Sequence, residues 1–309
     1  MSKPKILVIL GATAVGKTTL GIKLAQKFNG EIISGDSLQV YRKLDIGTAK
    51  ATHKERKQVK HHLIDIRSPN DNYSVADFQK EGKRLIDQLS KKQKLPIIVG
   101  GTGLYIQALL EDFSLGGKIK NSHSRQKYEQ LLREKGNIAL WQILYKKDQK
   151  TAKKIHVHNS RRIMRALEIL KATGKSIRSF HKQGKMLYDP YFIGVKIKRN
   201  LLYQQINARV EKMMKNGLLD EAKMLFDLPQ TQAAQGIGYK EFFPYFKGEI
   251  SLEEAIELVK RNSRRYAKRQ MTWFTNRVVN INWYDFSICS DEVKIKEDVQ
   301  KWLFNYKKA

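Results

Sequence analysis

The sequence predicts an α/β fold: a P-loop parallel sheet core flanked by helices, with a helical insertion domain and a helical C-terminal part. Three observations predict it. Short runs that are apolar at nearly every position, as in strands covered on both faces, recur between helical stretches over the first hundred residues. The first run passes through the octet Gly11-Ala12-Thr13-Ala14-Val15-Gly16-Lys17-Thr18 straight into a helical pattern. From about Leu115 to Asp189 strand signals vanish in favour of helices rich in Lys, Arg and Gln, a stretch best read as an insertion between two core strands.

Taken in order, Lys5 to Leu10 reads as a strand, and Thr18, Leu20, Ile22, Leu24, Ala25 and Phe28 have helical spacing. A phosphate loop needs this strand, glycine-rich turn and helix. Gly11 and Gly16 let backbone amides approach an oxyanion and the helix N-terminus adds partial positive charge. Lys17 reaches phosphate oxygens, and the Thr18 hydroxyl can ligand Mg²⁺. A chance match to the octet is the alternative, and the flanking strand and helix count against it. The loop does not say whether phosphate is transferred or leaves as diphosphate.

Glu31 to Ser34 forms a second strand, ending at Gly35-Asp36-Ser37-Leu38-Gln39-Val40-Tyr41. Residues just past the carboxyl ends of parallel strands line the ligand crevice, so Asp36 should face the loop's ligand as a general base. His62 to Ile66 reads as a further strand, and Ser74 to Lys92 as a helix opened by the capping pattern Ser74-Val75-Ala76-Asp77. Leu95 to Val99 is a strand running into Gly100-Gly101-Thr102-Gly103. Those glycines could simply make a turn, but it lies on the sheet edge of the loop and Asp36, which makes Thr102 a candidate substrate contact.

Within the insertion, Arg161, Arg162 and Arg165 share one helix face, with Ile163, Leu167 and Leu170 on the apolar side; ordinary surface charge is the competing explanation. The last core strand spans Tyr191 to Ile197. Beyond it the pattern is mostly helical: Leu201 to Lys215 ending at Gly217, Ser251 to about Trp273, and Asp291 to Tyr306. Trp273 and Phe274 could stack bases or lie in the core. The seven histidines read as structural or surface residues.

Composition narrows the chemistry. Fifty-nine Lys and Arg against 30 Asp and Glu leave a formal charge of +29, spread along the chain. A general lysine bias would explain part of it; a nucleic-acid groove explains the clusters better, because neutralised phosphates release counterions. No run approaches the length of a membrane span, and the single cysteine, Cys289, excludes an internal disulfide and any multi-cysteine zinc site. A cytoplasmic location is expected.

The motifs together resemble the tRNA dimethylallyltransferase (tRNA isopentenyltransferase) family of bacterial type. The likeness runs from the octet through Ser34 to Tyr41, Leu44 to Lys50, His62 to Asp65, Tyr73 to Phe78, Val99 to Tyr105 and Arg161 to Glu168. It resumes at Gln235 to Glu241 and Tyr266 to Phe274, covering nearly the whole chain. It implies transfer of a dimethylallyl group from dimethylallyl diphosphate to N6 of the adenosine 3′-adjacent to the anticodon in tRNA, with release of diphosphate. Gly11, Ala12, Thr13, Ala14, Val15, Gly16, Lys17 and Thr18 would then cradle the diphosphate, with Thr18 on Mg²⁺, and Asp36, Thr13, Lys17 and Arg209 would form the catalytic set.

The resemblance further implies that Asp36, Ser37, Leu38, Gln39 and Thr102 touch the anticodon stem-loop. From the insertion, Arg125 and the stretch Arg161, Arg162, Ile163, Met164 and Arg165 would do so too. The domains implied are 1–114 with 191–309 as the P-loop catalytic core, and 115–190 as the tRNA-contacting insertion, in a monomer. This chain departs from the family pattern at Gln205, where an Arg is usual, leaving Arg209 for the leaving group; His158-Asn159 and Thr275 are further departures. A P-loop kinase of a small metabolite, an adenylate prenyltransferase acting on free nucleotides and a non-catalytic RNA-binding protein are the alternatives. The kinase leaves the basic insertion unexplained, and an intact Lys17 and Asp36 argue against the last.

Overall fold

The computed structural model describes residues 3–112, 122–180, 184–287 and 291–304. Cys289 and the expected start of the insertion at 115 lie outside them. In chain order the first half comprises β1 (Lys5–Gly11), α1 (Lys17–Lys27), β2 (Gly30–Ser34), α2 (His53–Gln58), β3 (His61–His62), α3 (Val75–Lys91), β4 (Leu95–Val99) and α4 (Gly103–Leu110). A second stretch holds β5 (Glu111–Asp112), α5 (Ser122–Lys147), α6 (Gln149–Ala152), α7 (Ser160–Thr173) and β6 (Lys185–Met186). The chain closes with β7 (Asp189–Lys196), α8 (Arg199–Lys215), α9 (Leu218–Phe226), α10 (Phe243–Phe246), α11 (Leu252–Arg277), β8 (Ile281–Asp285) and α12 (Asp291–Phe304).

Two compact units result: Met1–Leu110 with Leu187–Ala309, and Glu111–Met186. The first is built on a six-stranded, all-parallel sheet in the order β3-β2-β4-β1-β7-β8. β1 lies inside it, pairing Leu7 with Ile97 of β4 and Leu7 with Tyr191 of β7. Residues Ile6 to Leu10 are completely buried, as a strand covered on both faces must be. A core of Leu7, Ile9, Leu20, Leu24, Ile32, Ile97, Val99, Ile193, Val195, Ile206 and Tyr284 seats α1 and α8 against the sheet. The carboxyl ends of β1, β2 and β4 therefore open on one edge, where Gly11, Gly35 and Gly100 begin their loops.

Two local readings change. The strand expected over His62 to Ile66 pairs only through His61–His62, because Leu63 and Asp65 take left-handed φ values of 59° and 56°. Asp65 there accepts from Lys50 and Arg56, each at 2.6 Å. The mostly helical C-terminal part also contains a strand the pattern did not reveal, β8, which extends the sheet beside β7, Phe192 opposite Ile281 and Val195 opposite Tyr284.

The second unit packs α5, α6 and α7 around Leu140, Leu144, Ala152, Ile155, Ile163, Ala166 and Leu167. α5 breaks at Gly136, whose φ of 74° and ψ of −176° leave the helical region. Asn159 caps α7 by accepting from the amide of Arg162 at 3.2 Å. A two-stranded antiparallel ribbon, β5 with β6, closes the unit, a strand pair the helical pattern did not reveal.

Candidate functional site

At the sheet edge of the first unit lies a cavity of about 560 Å³. Its floor is the loop between β1 and α1. Gly11 and Gly16 adopt φ values of 151° and 86°, and Ala14 is left-handed at 68°, which bends the chain so that successive amides can turn to one side. Thr13, Ala14, Val15, Gly16, Lys17 and Thr18 all line the cavity, at the N-terminus of α1, where the helix dipole favours an anion. Gly11 and Ala12 lie buried behind them, and a Cβ on Gly11 would sit 2.5 Å from the Val195 carbonyl of β7.

Three charged groups face one another across this floor. Lys17 donates to the Ala12 carbonyl at 2.5 Å, and Arg209 of α8 donates to the Thr13 hydroxyl at 3.2 Å. Asp36, just past β2, accepts from the Leu38 amide at 2.8 Å, with the Gln39 amide close by. Burial pushes the Asp36 carboxyl above the usual carboxylate range, opposed by those amides and by Lys17 and Arg209. Burial and the neighbouring Arg209 bring Lys17 down to about 7, with Asp36 pulling the other way. Arg209 is lowered by burial as well. The arrangement is a cationic floor with one basic carboxylate above it.

The turn after β4 forms the adjacent wall. Its glycines are needed for close approach rather than for unusual φ. A Cβ on Gly100 would lie 2.4 Å from the Gly35 carbonyl, so the ends of β2 and β4 touch backbone to backbone. A Cβ on Gly101 would lie 2.0 Å from the Gln270 Nε2 of α11, and one on Gly103 would lie 2.1 Å from the Trp273 ring. The Thr102 hydroxyl accepts from the Ser37 amide at 3.2 Å, tying this turn to the Asp36 loop. Gln39 is held from both sides: Ser34 donates to its Oε1 at 2.8 Å, and its Nε2 donates to the Thr48 carbonyl at 3.2 Å. Leu38 packs against Gly236, where a Cβ would fall 2.7 Å from it.

The Leu44 to Lys50 segment is anchored by a buried carboxylate. Glu221 of α9 accepts from the amides of Asp45, Ile46 and Gly47 at 2.8–2.9 Å and from the Tyr239 hydroxyl at 2.6 Å. A buried charge is tolerated only when bonded in this way. Gly47 lies against the Tyr239 ring, 2.7 Å from where its Cβ would be.

The sequence reading missed several residues at this cavity. Gln270 and Tyr266 of α11 line it, as do His61, Glu55 and Lys212. Lys212 falls on the same face of α8 as Gln205, Ala208 and Arg209, bringing a further cation to the rim beside Gln205. His61 donates from Nδ1 to the Val59 carbonyl at 2.8 Å, while its buried Nε2 has no partner. The signal for α11 was the spacing of Tyr266, Gln270 and Trp273 on one face of an otherwise basic helix. Phe274 is fully buried and Trp273 half-buried against Gly103, so this pair packs.

In the second unit, Arg161 and Arg162 are exposed at the start of α7. Ile163 and Met164 are 0% and 6% exposed in the unit's own core. Their side chains seat the helix in that core, so an RNA contact at these positions would fall to their backbone. Arg165 lies 3.8 Å from Glu168, and Arg125 donates to Glu129 at 2.9 Å and lies 3.7 Å from Glu168. Arg161 also borders a shallow cleft with His156, His158, Asn159 and Ser160.

A parallel α/β sheet with a phosphate loop and a facing carboxylate defines a phosphate-loop protein that handles phosphorylated small molecules. The family model for IPP transferase matches residues 39–277, most of the chain. A tRNA dimethylallyltransferase of Enterococcus faecalis is 56% identical over 301 residues, 97% of each chain. The crystal structure of the full-length tRNA isopentenylpyrophosphate transferase from Bacillus halodurans superposes with a TM-score of 0.72 at 45% identity over 96% of both chains. A eukaryotic dimethylallyltransferase acting on tRNA gives a TM-score of 0.83 at 31% identity, over 97% of this chain and 80% of the other. The chain belongs to the IPP transferase family.

Proposed function

We propose that the protein transfers a dimethylallyl group from dimethylallyl diphosphate to N6 of the adenosine 3′-adjacent to the anticodon in tRNA, releasing diphosphate. The observation that carries this reading is the opposition of the Gly11–Thr18 loop and Asp36 across one cavity, in a chain 56% identical to a tRNA dimethylallyltransferase.

The loop amides, Lys17 and Arg209 hold the diphosphate and take up the negative charge that gathers as the allylic C–O bond breaks. The adenine N6 lone pair is delocalised into the ring, so Asp36 accepts a hydrogen bond from the amine, orients it and removes a proton as the C–N bond forms. The high proton affinity that burial gives Asp36 suits a base. Ser37, Leu38, Gln39 and Thr102 border the extruded base. A single-stranded anticodon loop makes that extrusion inexpensive.

Mg²⁺ commonly binds through one or two protein oxygens together with phosphates and water. The Thr18 hydroxyl in the cavity floor and the Asp36 carboxylate above it are hard oxygens suited to the ion, and no cluster of three His, Cys, Asp or Glu competes among the described residues. The residues therefore fit Mg²⁺ held by Thr18 and the diphosphate, where it would neutralise charge on the leaving group. Arg125, Arg161, Arg162 and Arg165 supply backbone contacts to the stem-loop. Among the described residues no helix is long and apolar enough to cross a membrane, which accords with work on tRNA in the cytoplasm.

The test is mass analysis of adenosine from an anticodon stem-loop incubated with enzyme, Mg²⁺ and dimethylallyl diphosphate. A gain of one dimethylallyl group at the position 3′ of the anticodon is expected. Modification of AMP with none of the stem-loop would transfer the assignment to free nucleotides.

A further inference from the structure

Gln270 of α11 lines the cavity, carries no charge and is only 5% exposed. Both ends of its amide are used. Oε1 accepts from the Thr13 amide of the phosphate loop at 2.8 Å, and Nε2 donates to the Gly101 carbonyl of the turn after β4 at 3.0 Å. The loop and the turn leave different strands, β1 and β4. Gln270 therefore spans the part of the site that holds the leaving group and the part that borders the base.

Each end leads on to a group at the chemistry. On the loop side, the Thr13 hydroxyl accepts from Arg209. On the turn side, Gly101 precedes Thr102, whose hydroxyl accepts from the Ser37 amide next to Asp36. Tyr266, one helical turn before Gln270, lines the same cavity and lies close to the side chains of both Thr102 and Gln270. The absence of a side chain at Gly101 allows this reach, since a Cβ there would stand 2.0 Å from Nε2.

Resting on the prenyl-transfer reading above, we infer that Gln270, supported by Tyr266, is a positioning residue that sets the distance between the diphosphate loop and the acceptor carboxylate Asp36. It touches neither reacting centre. It acts by holding Thr13 and Gly101 at a fixed separation through one planar amide. Gln suits this task because its amide accepts and donates at once. A carboxylate would turn an acceptor toward the Gly101 carbonyl, and an apolar side chain would strand both backbone groups.

The test compares wild type with Gln270→Glu, Gln270→Ala and Tyr266→Phe. It reads single-turnover prenyl transfer, Kd for inorganic diphosphate by calorimetry, Kd for the stem-loop by filter binding, and thermal midpoint. The expected result for Gln270→Glu is a fall in the transfer rate of about 100-fold, the scale of a misplacement near 1 Å, with both Kd values within about threefold of wild type. Tyr266→Phe, which removes one hydroxyl and keeps the ring, should fall in the same direction by about tenfold with an unchanged thermal midpoint. Full transfer rates in both Gln270→Glu and Tyr266→Phe overturn the inference while leaving the prenyl-transfer reading intact. Loss of rate matched by equal loss of both Kd values makes Gln270 a structural residue only and also overturns it. An inactive wild-type enzyme removes the underlying reading and this one with it.

Discussion

At the residue scale the site is dominated by two cations and one carboxylate in a partly enclosed floor. Lys17 lies near 7 in this environment because burial and Arg209 outweigh the help from Asp36. A bound diphosphate would raise it again, so above pH 7 binding must draw a proton from solvent. Affinity for inorganic diphosphate should therefore weaken as pH rises from 7 to 9, by a part that disappears in Lys17→Met. Calorimetry in two buffers of different ionisation enthalpy measures this uptake, and identical proton uptake in wild type and Lys17→Met would refute the account. Asp36→Asn keeps the shape and the contact with Leu38 but gives up the base. Transfer should fall about 10²–10⁴-fold with stem-loop affinity within about tenfold, and wild-type turnover would remove Asp36 from the base role.

At the scale of elements, α11 rests directly on bare backbone. Gly103→Ala would drive a methyl into Trp273, 2.1 Å from its ring, and should cost about 1–3 kcal/mol in a denaturant titration, with activity falling alongside. A neutral substitution there would mean the helix can lift at no cost. The same packing explains what the sequence could and could not disclose. Strand β1, the loop and α1 were legible because a continuous apolar run, two glycines and a helical period leave few alternatives. Asp36 and Thr102 were legible because topology brings the ends of β2 and β4 to one edge. β8 was not, although Val278, Val279, Ile281, Trp283 and Tyr284 form a β-favouring run, since it is a short edge strand only partly buried. Gln270 was missed because a polar residue on a basic helix looks like surface until the helix is docked. Ile163 and Met164 came into the RNA-contacting stretch through the family resemblance, and the helical period that puts Ile163 on the apolar side agrees with their burial.

On the scale of the whole molecule, the charge of +29 sets how RNA is approached. If roughly six phosphates are contacted, stem-loop affinity should drop by about 10³-fold between 50 and 200 mM salt. Arg161→Ala combined with Arg162→Ala should reduce the slope of log affinity against log salt by about 2, and an unchanged slope would count against α7 as an RNA contact. Diphosphate binding, buried at the loop, should respond to salt far less.

The first unit is discontinuous in sequence, and its two pieces meet where the Leu187 amide donates to the Leu110 carbonyl at 2.9 Å. That has a consequence for synthesis. When residue 110 has left the ribosome, the loop, Asp36 and Thr102 exist, but Arg209, Tyr266 and Gln270 do not. The intervening unit has its own hydrophobic core and brings its ends together at the β5–β6 ribbon, so once formed it spares the first unit the entropy of closing a long flexible loop. Assembly of the cavity thus waits on α11, and a nascent chain cannot act on RNA before that helix has emerged.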